Sequence, residues 1–368
     1  MSFDQFDLHP TVLKAVLDAG YTTPTPIQVA AIDHIIDGRD VLGCAQTGTG
    51  KTAAFALPIL DYLLREKPAH GPRCLVLAPT RELATQISES FETYGARKIK
   101  TAVLIGGVGQ GRQVDALRAG ADVIIAAPGR LLDLMEQRLV DLRDIDILVL
   151  DEADRMLDMG FIQPLRRIVK VLPEKRQTLL FSATMPKEIR ELAEDFLYDP
   201  VSIAVTPVAS TAAAITEEVY HVHQKDKPEL LHNLFVSQQM GRAIVFTRTK
   251  HGADRLSRRL EKVGVRSSVI HGNKSQGARV RALEAFRDGS IRMLIATDVA
   301  ARGIDVDGVS HVINYDLPNE PESYVHRIGR TGRAGATGTA IAFCDVSERP
   351  YLKQIEKLTC SSLKVAQV

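Results

Sequence analysis

The chain has 368 residues, with 46 Lys and Arg against 45 Asp and Glu and a formal net charge of +1. That length suits two domains and can bury a large core without disulfides or structural metal. The balanced charge excludes a globally basic nucleic-acid coat, so any nucleic-acid contact must come from local basic groups.

The opening, Met1-Ser2-Phe3-Asp4, shows no basic segment followed by an apolar one, so no secretory signal is expected. Short, β-rich apolar runs follow at 41–45, 74–78, 101–105, 123–127, 145–150 and 178–181, with helical patterns between them. The small-residue stretch 206–214 interrupts the pattern. It resumes at 243–246, 267–270, 293–296, 311–314 and 339–343. Such runs fit strands buried on both faces of a parallel sheet with crossover helices. Two α/β domains are predicted, 1–208 and 215–368, joined by a linker at 209–214. No apolar run approaches membrane-spanning length, so no membrane partner is expected. The cysteines, Cys44, Cys74, Cys344 and Cys360, are scattered and form no C-x-x-C pair. This argues against a disulfide framework or a zinc site and suits a reducing, cytoplasmic setting.

The run at 41–45 leads into Ala45-Gln46-Thr47-Gly48-Thr49-Gly50-Lys51-Thr52. Gly48 and Gly50 let the backbone wrap closely around phosphate oxygens. A helix opening near Lys51 would aim its amides and dipole at the anion. Lys51 is expected on the β/γ-phosphates and Thr52 on Mg²⁺. Ala45 stands where this motif most often has its first glycine. A second segment, Asp151-Glu152-Ala153-Asp154, ends the apolar run 145–150. Asp151 is placed to hold Mg²⁺ there, and Glu152 to orient or deprotonate an attacking water. Much later, His326-Arg327-Ile328-Gly329-Arg330-Thr331-Gly332-Arg333 offers cations that could complete the same site.

Taken in order, these segments resemble a DEAD-box ATP-dependent RNA helicase. The likeness runs through Gly20-Tyr21, 24–28, 45–52, 79–84, Gly106-Gly107, 128–130, 151–154 and 182–184. In the second half it runs through 245–248, Gln276 with Arg279, 296–305 and 326–333. The compact length and Met-Ser-Phe opening are similar to the bacterial RhlE-type branch. The resemblance implies two tandem RecA-like domains, with ATP and Mg²⁺ as cofactors and RNA as partner. One position departs from the family: Ala127 precedes Pro128-Gly129-Arg130 where threonine is usual, so one hydroxyl contact to an RNA phosphate is expected to be missing.

The family likeness also assigns roles. Gln28 would read the adenine edge and Tyr21 would stack on its ring. Arg330 and Arg333 resemble arginine fingers, Asp305 would contact ATP near the ribose, and His326 would link the domains near Asp154. RNA backbone contacts are implied for Arg81, Gly107, Arg130, Thr247, Arg248, Gln276, Arg279, Thr297 and Arg302. Ser182 and Thr184 resemble couplers between the γ-phosphate site and the RNA face. The activity implied is RNA-stimulated ATP hydrolysis, coupled to closure of an interdomain cleft and local unwinding of short duplexes. An ATP-gated RNA clamp or ribonucleoprotein-remodelling factor is one rival reading; a DNA translocase of the same superfamily is a second, against which the Gln28 segment and Asp-Glu-Ala-Asp argue. A monomer is expected.

Overall fold

The strand residues of the first half face two ways, and both ways are apolar. Val41, Val76, Ile125, Val149 and Phe181 join one core with Ile27, Phe55, Leu60 and Phe91. Their neighbours Leu75, Leu77, Ile124, Leu148 and Leu180 join a second core with Leu131, Met156, Leu165 and Leu192. Alternate side chains of a strand point to opposite faces, so a strand apolar at every position needs a helical layer on each side.

The computed structural model describes residues 2–46, 48–66, 71–205, 215–238, 240–298, 306, 308–332, 336–359 and 361–366. The chain divides into two compact units, Met1–Thr206 and Pro207–Val368. Among the described residues each unit holds a seven-stranded sheet. The first is built from β1 (Val41–Cys44), β2 (Cys74–Leu77), β3 (Thr101–Leu104), β4 (Val123–Ala126), β5 (Ile147–Leu150), β6 (Gln177–Ser182) and β7 (Val201–Ala204). Its spatial order is β3-β4-β2-β5-β6-β1-β7, and every pairing is parallel.

The second unit holds β8 (Ile215–His221), β9 (Arg242–Phe246), β10 (Ser267–Ile270), β11 (Met293–Ala296), β12 (Val309–Asn314), β13 (Gly338–Cys344) and β14 (Lys364–Val365). Its order is β10-β11-β9-β12-β13-β8-β14, again parallel throughout. The two sheets therefore share one topology. Ala243, Val245, Ile295 and Ile341 pack with Leu231 and Leu256 on one face. Ile244, Phe246, Leu294 and Val312 pack with Phe286 on the other.

Each of the eleven predicted runs carries a strand. Three further strands, β7, β8 and β14, gave no such run. β7 and β14 are sheet edges, and only Ile203 of β7 is buried. An edge strand touches one neighbour and needs little apolar surface. β8 carries Glu217 and Glu218, which break the apolar pattern; Glu217 accepts a 2.6 Å hydrogen bond from the Tyr324 hydroxyl. The predicted linker 209–214 lies outside the described residues.

Candidate functional site

In a parallel sheet the loops after the strands all leave from one edge, so strand order decides which loops meet. In the first unit β5, β6 and β1 are neighbours. Their following loops are 151–152, 183–186 and 45–50. On the other side β3, β4 and β2 are neighbours, and their following loops carry Gly107, Arg130 and Arg81. The candidate phosphate and RNA residues thus fall into two adjacent halves of one edge.

The loop after β1 enters the helix Lys51–Arg65 through Gly50, the N-cap, at φ +91°. Only glycine holds that conformation without strain. A Cβ there would also come within 2.5 Å of Gln28 Nε2. Gln28 itself is buried. Its Oε1 accepts from the Thr25 N–H at 2.8 Å, starting the helix Pro26–Ile36. Its Nε2 donates to the Gly50 carbonyl at 3.1 Å. Gln28 therefore ties the predicted adenine-reading segment to the phosphate loop. A carboxamide has one further donor hydrogen and further lone-pair capacity for a base edge. Tyr21 is 51% exposed, with its ring set edge-on to Tyr94 at 6.1 Å. That leaves its surface accessible for stacking.

Lys51 Nζ donates to the Ala45 carbonyl at 2.6 Å, folding back on its own loop, while Thr49 Oγ1 donates to the Gln46 carbonyl at 2.7 Å. The Ala45 N–H in turn donates to the Ser182 carbonyl at 3.0 Å. Thr52 is in the first turn of the helix. Gly48 takes φ +86°; Thr47 lies outside the described residues.

Asp151 and Glu152 are both buried to 2% exposure. Burial pushes the Asp151 carboxyl up to about 7, with Lys51 pulling it down and Glu152 and Asp154 adding to the rise. Glu152 turns β5 into the helix Ala153–Asp158 at φ +53°, and its Oε2 pairs with Arg155 Nη1 at 2.9 Å. Asp154 holds the next loop. Its Oδ2 accepts from the Ala183 N–H at 3.2 Å, the Thr184 N–H at 2.9 Å and the Thr184 hydroxyl at 2.9 Å. The Asp154 N–H donates to Ser182 Oγ at 3.2 Å. The fold thus brings the buried Asp154 and Ser182 and the half-buried Thr184 into one network.

On the other half, Arg81 opens the helix Arg81–Tyr94 and lies over Gly107. A Cβ on Gly107, at φ +76°, would come within 2.1 Å of Arg81 Nη1. Arg130 is in the first turn of the helix Pro128–Glu136 and sits 3.4 Å from Asp133. Ala127 is the N-cap of that helix and supplies no side-chain cap.

The second unit repeats the arrangement. β10, β11 and β9 are neighbours, and their following loops carry Thr297, Thr247 and Arg248, with Gln276 and Arg279 in the first turn of the helix Gln276–Arg287. Thr247 is fully buried and donates to the Thr249 carbonyl at 3.3 Å. Arg248 turns toward Glu348 at 2.9 Å and the Leu317 carbonyl at 3.0 Å, which occupies part of its fork. His326 lies on the helix Pro321–Ile328, and Arg330 is buried just beyond it, donating to the His326 carbonyl at 3.4 Å. Arg302, Asp305 and Arg333 lie outside the described residues.

Residues 25–192 match the DEAD/DEAH box helicase family, and residues 226–335 match the helicase conserved C-terminal domain. The chain belongs to the DEAD-box helicase family. It is 43% identical to the ATP-dependent RNA helicase CshA of Listeria monocytogenes over 366 residues, covering 99% of this chain and 70% of that protein. It is 45% identical to the ATP-dependent RNA helicase DeaD of Mycobacterium tuberculosis over 369 residues, covering 100% of this chain and 65% of that one. Among solved structures it resembles Saccharomyces cerevisiae Dbp5 bound to RNA and ADP BeF3, with TM-score 0.89 and 34% identity across 99% of this chain and 95% of that chain. Each unit is a RecA-like domain of this DEAD-box fold.

Two residues that sequence reasoning passed over stand at the centre of these networks. Arg155 follows the Asp-Glu-Ala-Asp segment directly, at helical spacing from Glu152. Arg327 sits inside the 326–333 segment. It forks Asp298 at 2.6 and 2.7 Å, donates to Asn314 Oδ1 at 2.9 Å and the Asp316 carbonyl at 2.7 Å, and lies over the Phe246 ring at 5.0 Å. It thereby fixes the helix bearing His326 against the loop bearing Thr297. An i,i+3 count from Glu152 could have flagged Arg155; no local pattern marks Arg327 as buried.

Proposed function

We propose that this protein is an RNA-stimulated ATPase that uses ATP to rearrange or locally unwind short RNA duplexes, acting in the cytoplasm. The observation that carries the reading is the strand order of the first unit. The phosphate loop, the 151–154 turn and the 182–184 loop share one half of the edge, and Gly107, Arg130 and Arg81 share the other. The relatives' names as ATP-dependent RNA helicases support it, as does the RNA and ADP BeF3 bound to Dbp5.

In this reading Gln28 and Tyr21 take the adenine, while the loop from Ala45 to Gly50, Lys51 and Thr52 take the phosphates. Mg²⁺ fits Thr52 and Asp151 by chemistry, because both offer hard oxygen donors. The buried Asp151 carboxyl, raised to about 7, also gains from a nearby cation. Among the described residues no three His, Cys, Asp or Glu side chains cluster as a metal cage. Mg²⁺ held by one carboxylate and substrate phosphates needs none. Bound there, it would neutralise developing phosphate charge. Glu152 orients the attacking water and takes its proton. Arg330 and Arg333 add positive charge in the transition state of the RNA-bound enzyme. Arginines, hydroxyls and glycine amides grip the RNA backbone without reading bases.

The test is ATP turnover by purified protein with and without RNA, beside displacement of a short labelled strand. Turnover is expected to rise at least tenfold with RNA, and strand release to require ATP. Turnover indifferent to RNA would overturn the reading; RNA-stimulated turnover with no strand release would favour the clamp.

A further inference from the structure

Glu152 is where β5 becomes helix, and it does so at φ +53° and ψ +52°. A non-glycine residue in that left-handed region costs about 1 kcal/mol or more. The conformation brings its carboxylate 2.9 Å from Arg155 Nη1, three residues on, with side-chain exposures of 3% and 1%. Burying a guanidinium is costly, and a long side chain ordinarily reaches for solvent. Arg155 instead ranks among the largest fully buried side chains in the described residues.

The same helix start is fastened from its other side. Asp154 accepts from Ala183 and Thr184, and the Arg155 N–H donates to Asp154 Oδ1 at 3.0 Å. Arg155 therefore stands between the 182–184 loop and Glu152. A movement of that loop drags Asp154, and with it the residue that holds the Glu152 carboxylate.

We propose that Arg155 is a positioning residue: its guanidinium fixes the direction in which Glu152 presents its carboxylate to the attacking water, and it links that direction to the 182–184 loop. The inference rests on the reading of Glu152 as the water-activating group. The role requires no contact with nucleotide, so losing it should lower kcat and leave nucleotide affinity intact.

The test compares Arg155→Lys, Arg155→Met, Glu152→Gln and the double variant Glu152→Gln/Arg155→Met in the full chain. Steady-state ATPase at saturating RNA is measured beside equilibrium binding of a non-hydrolysable ATP analogue, with circular dichroism to check folding. Arg155→Lys keeps the charge but not the fork, and should lower kcat about tenfold with analogue affinity within about twofold. Arg155→Met should lose more. If it strands the Glu152 charge and fails to fold, Arg155→Lys and the double variant decide, since neither leaves a lone buried charge. The double variant should turn over no more slowly than Glu152→Gln alone, because both changes act on one step. A folded Arg155→Lys with wild-type kcat overturns the proposal, as does a double variant well below Glu152→Gln. Near-normal turnover by Glu152→Gln would instead remove the water-activating role, and the proposal with it; a dead Glu152→Gln beside active Arg155 variants removes the proposal alone.

Discussion

Replacing Asp154 by asparagine would test the link between the 151–154 turn and the 182–184 loop most directly. The wild-type carboxylate is buried and accepts at least four hydrogen bonds among the described residues. Three fall on Oδ2, from the Ala183 N–H, the Thr184 N–H and the Thr184 hydroxyl, and one on Oδ1, from the Arg155 N–H. Asparagine keeps one acceptor oxygen. If that oxygen takes the Oδ2 place, the new amide meets the Arg155 N–H, donor against donor. If it takes the Oδ1 place, the amide meets three donors instead. The first arrangement is the cheaper, and it still loses one bond outright and the charge on three others. Hydrogen bonds to charged groups contribute about 1.5–3 kcal/mol, and stranding a buried donor costs about 1–3 kcal/mol. Together these give a loss of about 2.5–6 kcal/mol. For a unit of this size that lowers Tm by about 5–24 °C. The assay is calorimetry of the apo protein, following the transition that ATP analogue shifts upward. ATPase with and without RNA should show the stimulation ratio falling at least tenfold while KM for ATP changes by a few-fold at most. Thr184→Ala, which removes one of these bonds, should lie between. A variant with Tm within about 2 °C of wild type and normal RNA stimulation would refute the argument.

Three further outcomes follow from the same geometry. Asp151 has its carboxyl raised by burial from 3.8 to about 7, so the folded state binds that proton more tightly than the unfolded one. Its contribution to apo stability is therefore present below about pH 4 and lost as pH rises to about 7. Asp151→Asn should flatten the Tm–pH curve between pH 5 and 8 and abolish hydrolysis; parallel curves for the two proteins would count against it. Ala127→Thr restores a hydroxyl at the N-cap of the helix Pro128–Glu136, and should stabilise by about 0.5–2 kcal/mol in denaturant titration and tighten RNA binding modestly; an unchanged midpoint would show that the cap site is not open to the side chain. Gln28→Ala should reduce the preference for ATP over GTP by about tenfold. It should also cost about 1 kcal/mol by freeing the Thr25 N–H and the Gly50 carbonyl; equal use of ATP and GTP by the unmutated protein would remove the adenine-reading role.

What was legible in the sequence divides along the distance over which a cause acts. The strand at 41–45, the glycines after it and Lys51-Thr52 form one continuous stretch, and the turn follows from their own conformational preferences. The central strands could be read because burial on both faces demands apolar residues at every position. β7 and β14 could not, since an edge demands few. Residues 154 and 182–184 are about thirty positions apart, and only the pairing of β5 with β6 brings them together. No residue type announces that meeting, and the family likeness, which made Ser182 and Thr184 couplers, did not pair them with Asp154. The burial of Arg155 and Arg327 was hidden for a related reason. An arginine looks solvated in sequence until its partners, Glu152 or the fork at Asp298, are placed around it. Arg248 shows the converse: expected on RNA, it is held by Glu348, a residue one hundred positions away.

The position of β5 places the 151–154 turn between two loops that can move it. β5 lies between β2, whose loop opens onto Arg81, and β6, which ends at Ser182. Neighbouring strands are about 4.8 Å apart, so a displacement at either loop need cross only one strand's width to reach the 151–154 turn. That turn cannot yield by solvation, because Asp151, Glu152 and Asp154 are all at most 4% exposed. Buried polar groups exchange partners only when a replacement is at hand, and otherwise move with the groups that hold them. A shift of the 182–184 loop must therefore either break the bonds to Asp154 or carry Asp154, Arg155 and Glu152 along. Breaking them costs several kcal/mol, whereas a rigid displacement of one short helix start costs less. On this energetic ground the coupling between the 182–184 loop and the hydrolytic carboxylates should travel by concerted movement of the turn, with its hydrogen bonds intact.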